Sequence, residues 1–186
     1  YWVTLFTGMR QGEVLGLKWE CVDFKNGTIL ICRQLQHEKG KGGGYVFATT
    51  KNGKSRVIAP APWLMEMLET QRKQQALDKK KAGPLWEDSG LVFTDEIGGH
   101  LKEYTVYRDF KKIAASIGMP EARFHDLRHS YAVAAIKSGD DIKTVQSNLG
   151  HATAAFTLDV YGHVVDSMQR TSSDCMEGFI KEVLNL

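Results

Sequence analysis

The sequence is short of cysteine, has no long apolar run and carries no large surplus of either charge, and each shortage removes a class of protein. Cys21, Cys32 and Cys175 are odd in number and widely spaced, with no C-x-x-C pair. That argues against a disulfide framework or a thiolate metal site and fits a reducing cytoplasm. No segment reaches the roughly 18 consecutive apolar residues of a membrane helix. The opening Tyr1-Trp2-Val3-Thr4-Leu5-Phe6 is short and lacks a basic leader, so it reads as part of the fold. An apolar start without a helix cap further predicts that N-terminal sequence has been clipped. Lys and Arg number 24 against 22 Asp and Glu, so attraction to an acidic partner depends on where the cations sit. Internal repeats, low-complexity tracts and long linkers are also missing.

What is present suits one domain spanning residues 1–186: 42% of the 186 residues are hydrophobic and 25% charged. Between Met9 and Trp19, Val14, Leu15, Leu17 and Trp19 recur at roughly helical spacing, which puts Arg10 and Glu13 near a helix start and on one face. Branched residues predict strands at Thr28–Cys32, Tyr45–Thr49 and Arg56–Ile58, with a glycine-rich loop from Gly40 to Gly44 before the second. Between the last two lies Lys51-Asn52-Gly53-Lys54. Asn-Gly favours a tight turn, which predicts Lys51 at or beside the tip of a β-hairpin. Helices are expected over Pro60–Lys81, with Leu64, Met67 and Leu68 inward, and over Glu103–Ile117, Asp126–Ser138, Ile142–Leu149 and about Ala154–Val160. Met176, Phe179, Ile180, Val183 and Leu184 form a one-sided apolar stripe in the tail that wants a partner surface, either its own core or a neighbouring subunit. The expected fold class is α+β, mainly α-helical with a small antiparallel β-sheet.

Taken singly, the candidate functional residues admit plain explanations. Arg10, in Thr7-Gly8-Met9-Arg10-Gln11-Gly12-Glu13, fits a surface arginine paired with Glu13, although two glycines at a helix start hint at close backbone approach. Lys51 fits an ordinary turn lysine. With a phosphate nearby, it also fits a mobile ammonium that protonates a leaving oxygen, provided local cations ease release of its proton. His125-Asp126-Leu127-Arg128-His129 is denser. Its two histidines have the spacing of a helical zinc pair, but the metalloprotease pattern requires Glu where Asp126 stands, and no third ligand is evident. Asp126 is predicted as a helix N-cap, holding His125 just before the helix and Arg128 in its first turn, where free N–H groups and a guanidinium favour an anion. His129 fits a buried, satisfied imidazole equally well. Leu149-Gly150-His151 is a helix stop with Gly150 left-handed, and Tyr161 alone is more commonly a core or rim residue than a nucleophile.

Together they have one coherent chemical use. Attack on a phosphodiester concentrates negative charge on the non-bridging oxygens, which fixed positive donors must meet. Two arginines and one or two histidines do this without metal. A nucleophile, a base and an acid for the departing oxygen are also needed, and Tyr161, His125 and Lys51 fill those roles.

Over nearly its whole length the chain resembles the tyrosine recombinase (phage integrase) family. The first arginine box of that family is similar to Thr7-Gly8-Met9-Arg10-Gln11-Gly12-Glu13, and its hairpin lysine to Lys51 in Thr49-Thr50-Lys51-Asn52-Gly53-Lys54-Ser55-Arg56. Its His-x-x-Arg box is similar to His125-Asp126-Leu127-Arg128, followed by His129-Ser130-Tyr131-Ala132. Leu149-Gly150-His151 and Tyr161 look like its closing signature. The resemblance implies the integrase catalytic-domain fold and site-specific recombination of DNA. Arg10, Arg128 and His151 would hold the scissile phosphate, and His125 would serve as acid/base. Lys51 would protonate the leaving 5′ hydroxyl and Tyr161 would become 3′-phosphotyrosyl, with Glu13 and His129 supporting. It implies no cofactor and no metal, because the covalent intermediate conserves the phosphodiester bond energy. Double-stranded DNA would be the partner, with a homotetramer on paired sites joined through the C-terminal helix, in the bacterial or phage-infected cytoplasm at the nucleoid. The family's core-binding and arm-binding domains are not in the sequence. A type IB topoisomerase-like activity, an inactive DNA-binding relative and a His-dependent metalloenzyme are the alternatives.

Overall fold

The computed structural model describes residues 1–38, 44–50 and 53–151, together with Met176 and Lys181. Its first element, α1 (Trp2–Thr7), buries Val3, Thr4 and Thr7 and stops at Gly8. There a left-handed φ of 67° lets the Gly8 N–H return to the Thr4 carbonyl, a geometry that only glycine adopts without strain. Arg10 is extended and starts α2 (Gln11–Leu15). A 3-10 turn at Trp19–Cys21 leads into five strands: β1 (Val22–Asp23), β2 (Thr28–Ile31), β3 (Arg33–His37), β4 (Tyr45–Thr49) and β5 (Arg56–Ile58).

The strands expected from branched residues form, but their pairing differs from the expected hairpin. β4 pairs with β3, from Arg33↔Thr49 to His37↔Tyr45, while β5 pairs with β2 in a three-stranded antiparallel sheet of order β1-β2-β5. β3 escapes a pattern search because, of Arg33, Gln34, Leu35, Gln36 and His37, only Leu35 is buried. Once β3 follows β2 after a single residue, β4 folds onto β3 and β5 completes the sheet on β2. The chain nevertheless turns back at Gly53. Gly53 has φ 65°, and its N–H bonds the Thr50 carbonyl at 2.7 Å, so it joins two sheets instead of folding one strand onto the next. Lys51 and Asn52 themselves lie outside the described residues.

The inner faces of the sheet and helices form one core of Val3, Met9, Val14, Leu17, Ile29, Ile31, Ile58, Leu64, Leu68 and Val92. Each such side chain contributes roughly 1.5–3 kcal/mol relative to exposure. Helix α3 (Pro62–Ala82) starts on proline as expected and buries Leu64, Met65 and Leu68, with Met67 only packed along the edge. Farther along, its Gln75 amide bonds the Leu91 carbonyl at 3.0 Å and accepts from the Trp19 indole at 2.7 Å, tying a lysine-rich helix to the core by polar contacts. Buried Leu91 forms an isolated bridge with Lys18, and the N–H of buried Val92 bonds the Leu17 carbonyl at 2.9 Å. Cys21 and Cys32, widely spaced in sequence, are free thiols with sulfurs 3.7 Å apart.

Helix α4 (Glu103–Ser116) and the start of α5 (Phe124–Lys137) share a second apolar cluster of Phe110, Ala114 and Phe124. The Tyr1 ring lies 5.6 and 5.9 Å from the two phenylalanines. The chain divides into two compact units, Tyr1–Tyr131 and Ala132–Leu186. In the second, Ala132 and Ile136 are buried, as are Val145 and Leu149 of α6 (Ile142–Leu149). Asp141 caps α6 by accepting the Thr144 N–H at 3.0 Å, and Gly150 closes it in the expected left-handed conformation, φ 64°. The helix expected at about 154–160 and most of the tail stripe lie outside the described residues. Met176 is helical and exposed. No helix among the described residues is long and apolar enough to cross a membrane.

Candidate active site

The first arginine is placed by backbone geometry. The buried Thr7 hydroxyl bonds the Val3 carbonyl and receives the Met9 N–H, so the Thr7-Gly8 corner turns the chain sharply out of α1. Arg10 follows at the N-cap of α2, and Glu13 at its third position reaches back to accept the Arg10 backbone N–H at 2.9 Å, as in one half of a capping box. The same carboxylate takes an Arg10 guanidinium N–H at 3.0 Å. Spacing anticipates this pair. What it does not anticipate is Arg56 on β5, whose two terminal nitrogens grip both Glu13 oxygens at 2.9 and 2.6 Å. Glu13 is 1% exposed. Burial alone pushes its carboxyl up, but the hydrogen bonds and charges of Arg56 and Arg10 outweigh it and hold the group below the ordinary carboxylate range.

The second cluster corrects one expectation. Helix α5 begins at Phe124, so His125 lies within its first turn and Asp126 is its third residue, not its N-cap. Asp126 still serves the helix start by reaching back to the Arg123 N–H at 2.8 Å, and it also binds the Arg123 guanidinium at 3.0 Å. A phenylalanine that gains burial against Phe110 moves the start three residues earlier than the polar cap alone suggests. Arg128 is 2% exposed and donates to the Gly8 carbonyl at 2.5 Å, which fastens the second arginine to the corner that delivers the first. His125 and His129 meet edge to face with ring centroids 4.7 Å apart. His125 is exposed and His129 half-buried. Partial desolvation, then the neighbouring His129 and Arg128, lower the His125 pKa, so its imidazole is neutral at neutral pH. Among the described residues no three His, Cys, Asp or Glu side chains gather as a metal-ligand set.

A pocket of about 70 Å³ is lined by Thr4, Met9, Arg10, Gln11, Phe124, His125 and Arg128. Two sequence boxes more than a hundred residues apart thus meet at one small opening, with |i−j| of 120 for the Gly8–Arg128 bond. The side-chain nitrogen of Gln11 is buried there without a hydrogen-bond partner. An unmade buried donor beside two guanidiniums is suited to an anionic acceptor. Neither Arg56 nor Gln11 stands out in the sequence: Arg56 lies at a separation of 43 residues from its partner, and nothing marks the Gln11 amide as buried. His151 belongs to the second unit. There its N–H bonds the Gln146 carbonyl at 3.1 Å and its carbonyl accepts from the Gln146 side chain at 3.2 Å. Lys51 and Tyr161 lie outside the described residues.

Arg10, Arg128 and the neutral His125 imidazole line one pocket of a mainly helical α+β domain, an arrangement whose charge suits an anion. Residues 2–168 match the phage integrase family, and the chain belongs to that family. It is 34% identical over 178 residues to a XerC-like tyrosine recombinase of Caldanaerobacter subterraneus subsp. tengcongensis, covering 90% of this chain and 45% of that protein. It is 31% identical over 180 residues to tyrosine recombinase XerC of Lactobacillus delbrueckii subsp. bulgaricus, covering 95% and 53%. The chain therefore spans about half the length of these relatives. The fold matches that of the Tn1549 transposon integrase, solved in complex with transposon right end DNA, with TM-score 0.75 and 22% identity over 94% of this chain and 57% of that one.

Proposed function

We propose that the chain is the catalytic domain of a tyrosine-type site-specific recombinase that cleaves and rejoins double-stranded DNA, serving integration and excision of a mobile element. One observation supports this above the rest: Arg10, Arg128 and His125 line a single pocket, with Glu13 buried behind Arg10. In this mechanism Arg10 and Arg128, joined by His151, hold the non-bridging oxygens of the scissile phosphate and meet the charge that builds up there. The Tyr161 oxygen attacks phosphorus, its proton passing to the neutral His125 imidazole, and the bond from phosphorus to the 5′ oxygen breaks. Lys51 protonates that oxygen. A 3′-phosphotyrosyl enzyme and a free 5′ hydroxyl result, and attack by the 5′ hydroxyl of a second strand reverses the step on a new partner. Glu13 supports Arg10, and His129 supports His125.

Bond energy is conserved throughout, so the step draws on neither ATP nor a metal. The relatives' names, tyrosine recombinase and transposon integrase, support DNA as substrate. Four copies assemble on paired sites through the C-terminal helix, whose stripe includes Met176 and Leu184, in the cytoplasm at the nucleoid.

The test uses the full-length protein and a nicked duplex taken from the DNA flanking its own gene. A denaturant-resistant protein–DNA adduct is expected with the wild type, unchanged by EDTA and lost in Tyr161→Phe. An adduct that persists in Tyr161→Phe removes the assignment. Joining of paired sites, as against mere relaxation of a supercoiled plasmid, separates recombinase from topoisomerase.

A further inference from the structure

We infer that Arg56 is a positioning residue for the reaction proposed above: it clamps Glu13 and offsets its charge, so that Arg10 presents a full positive charge to the phosphate. The inference rests on that function, but its geometry stands by itself. The four donors around Glu13 are two per oxygen: Arg10 Nη1 and Arg56 Nη1 on Oε1, and the Arg10 backbone N–H and Arg56 Nη2 on Oε2. Arg56 takes the two-pronged share, a geometry that a planar guanidinium meets and an ammonium does not. Arg10 gives Glu13 only one guanidinium nitrogen, and its side chain is 22% exposed, against 10% for Arg56 and 0% for Glu13. The orienting pair is thus sealed, and the arginine facing the pocket keeps most of its donors for a ligand.

Charge decides why a second arginine is needed. A buried carboxylate beside Arg10 alone would make a neutral pair, with little field left to stabilise a transition-state dianion. Arg56 returns the trio to a net single positive charge. It also sits on β5, five positions after Lys51, and shares the inward face of that strand with buried Ile58. One guanidinium therefore ties the strand that follows the general acid to the helix that carries Arg10.

The experiment compares adduct formation on the nicked duplex under single-turnover conditions in the full-length protein. Arg56→Met should lower the rate roughly a hundredfold, the scale of a misplaced transition-state contact, with DNA affinity within about threefold. Arg56→Lys, which keeps the charge but loses the fork, should fall between that variant and the wild type. The decisive variant is the double change Glu13→Gln with Arg56→Met. It removes both opposing charges and should react faster than Arg56→Met alone, whereas a merely structural role predicts a slower or inactive protein. Relative to wild type, Arg56→Met should also recover as pH falls, because protonation of Glu13 relieves the same excess negative charge. A wild-type rate in Arg56→Met, or no recovery in the double variant, overturns the inference and leaves the function intact. A wild type without adduct overturns the function instead. In that case the Nε–H resonance of Arg10, identified by its loss in Arg10→Lys, still tests the clamp. It should move in Arg56→Met, and an unmoved resonance refutes it.

Discussion

Glu13 shows what burial does to a single charge. A carboxylate 1% exposed survives only because four donors saturate its two oxygens. Replacing it with alanine strands two guanidiniums near the core and should cost about 3–5 kcal/mol, measured as a fall in ΔG from urea unfolding. The carboxyl is held below its ordinary pKa in the folded state, so its stabilising contribution is complete above the ordinary carboxylate range and is lost as pH falls through the folded value. His125 shifts stability in the same direction with pH, although there burial disfavours the charged form. Its folded pKa is lowered, so the unfolded chain takes up its proton first, and stability declines as pH falls through the ordinary histidine value of about 6.5. For catalysis the same shift keeps the base form available beneath that value. The pH–rate profile of adduct formation should stay flat down to about pH 6.5 and fall only below it, and His125→Asn should slow the step by about a hundredfold at neutral pH.

Elements matter here through how closely they approach. Helix α2, which carries Glu13 and begins at Arg10, lies against β3 with glycine at the contact. A Cβ at Gly12 would sit 2.6 Å from the Leu35 carbonyl oxygen, and one at Gly16 would sit 2.7 Å from the Leu35 nitrogen. Both obstacles are backbone, which cannot rotate away. Gly16→Ala should therefore lower stability by about 1–3 kcal/mol, read from the urea midpoint, and should reduce adduct formation because α2 moves with its arginine. A control on another element separates general instability from this effect. Asp141→Ala removes the cap of α6 and should cost about 1 kcal/mol without altering the Arg10–Glu13–Arg56 contacts. If both variants lose activity in proportion to stability alone, α2 has no special positioning role.

For the whole molecule, charge placement outweighs charge total. A net charge of +2 offers little general attraction to DNA, so on the proposed function binding depends on where the cations gather. The chain covers 45–53% of its relatives' length, and on the proposed function a protein of residues 1–186 alone should bind a duplex more weakly than the full-length enzyme. Its dependence of log affinity on log salt should also be shallower, because fewer phosphates are neutralised. Titrations of both proteins on the same labelled duplex at several salt concentrations test this. Equal slopes would mean that the contacts lie within this chain.

Local signals carried much of this outcome in advance. The placement of Arg10 with Glu13 three positions on, the proline start of α3 and the glycine stop of α6 all depend on residues within a few positions of one another. Sequence alone therefore determined them, together with the two boxes that mark the family. Register and remote pairing did not follow. β5 joins β2 on the core that Ile29, Ile31 and Ile58 share, while the mostly polar β3 takes β4 as its partner. Arg56 reaches Glu13, and Arg128 reaches Gly8, only after sheet and helices have closed. A side chain's neighbours within one turn are set by chain geometry, whereas its neighbours across the core are set by which apolar faces bury one another, and that is decided by the folded whole.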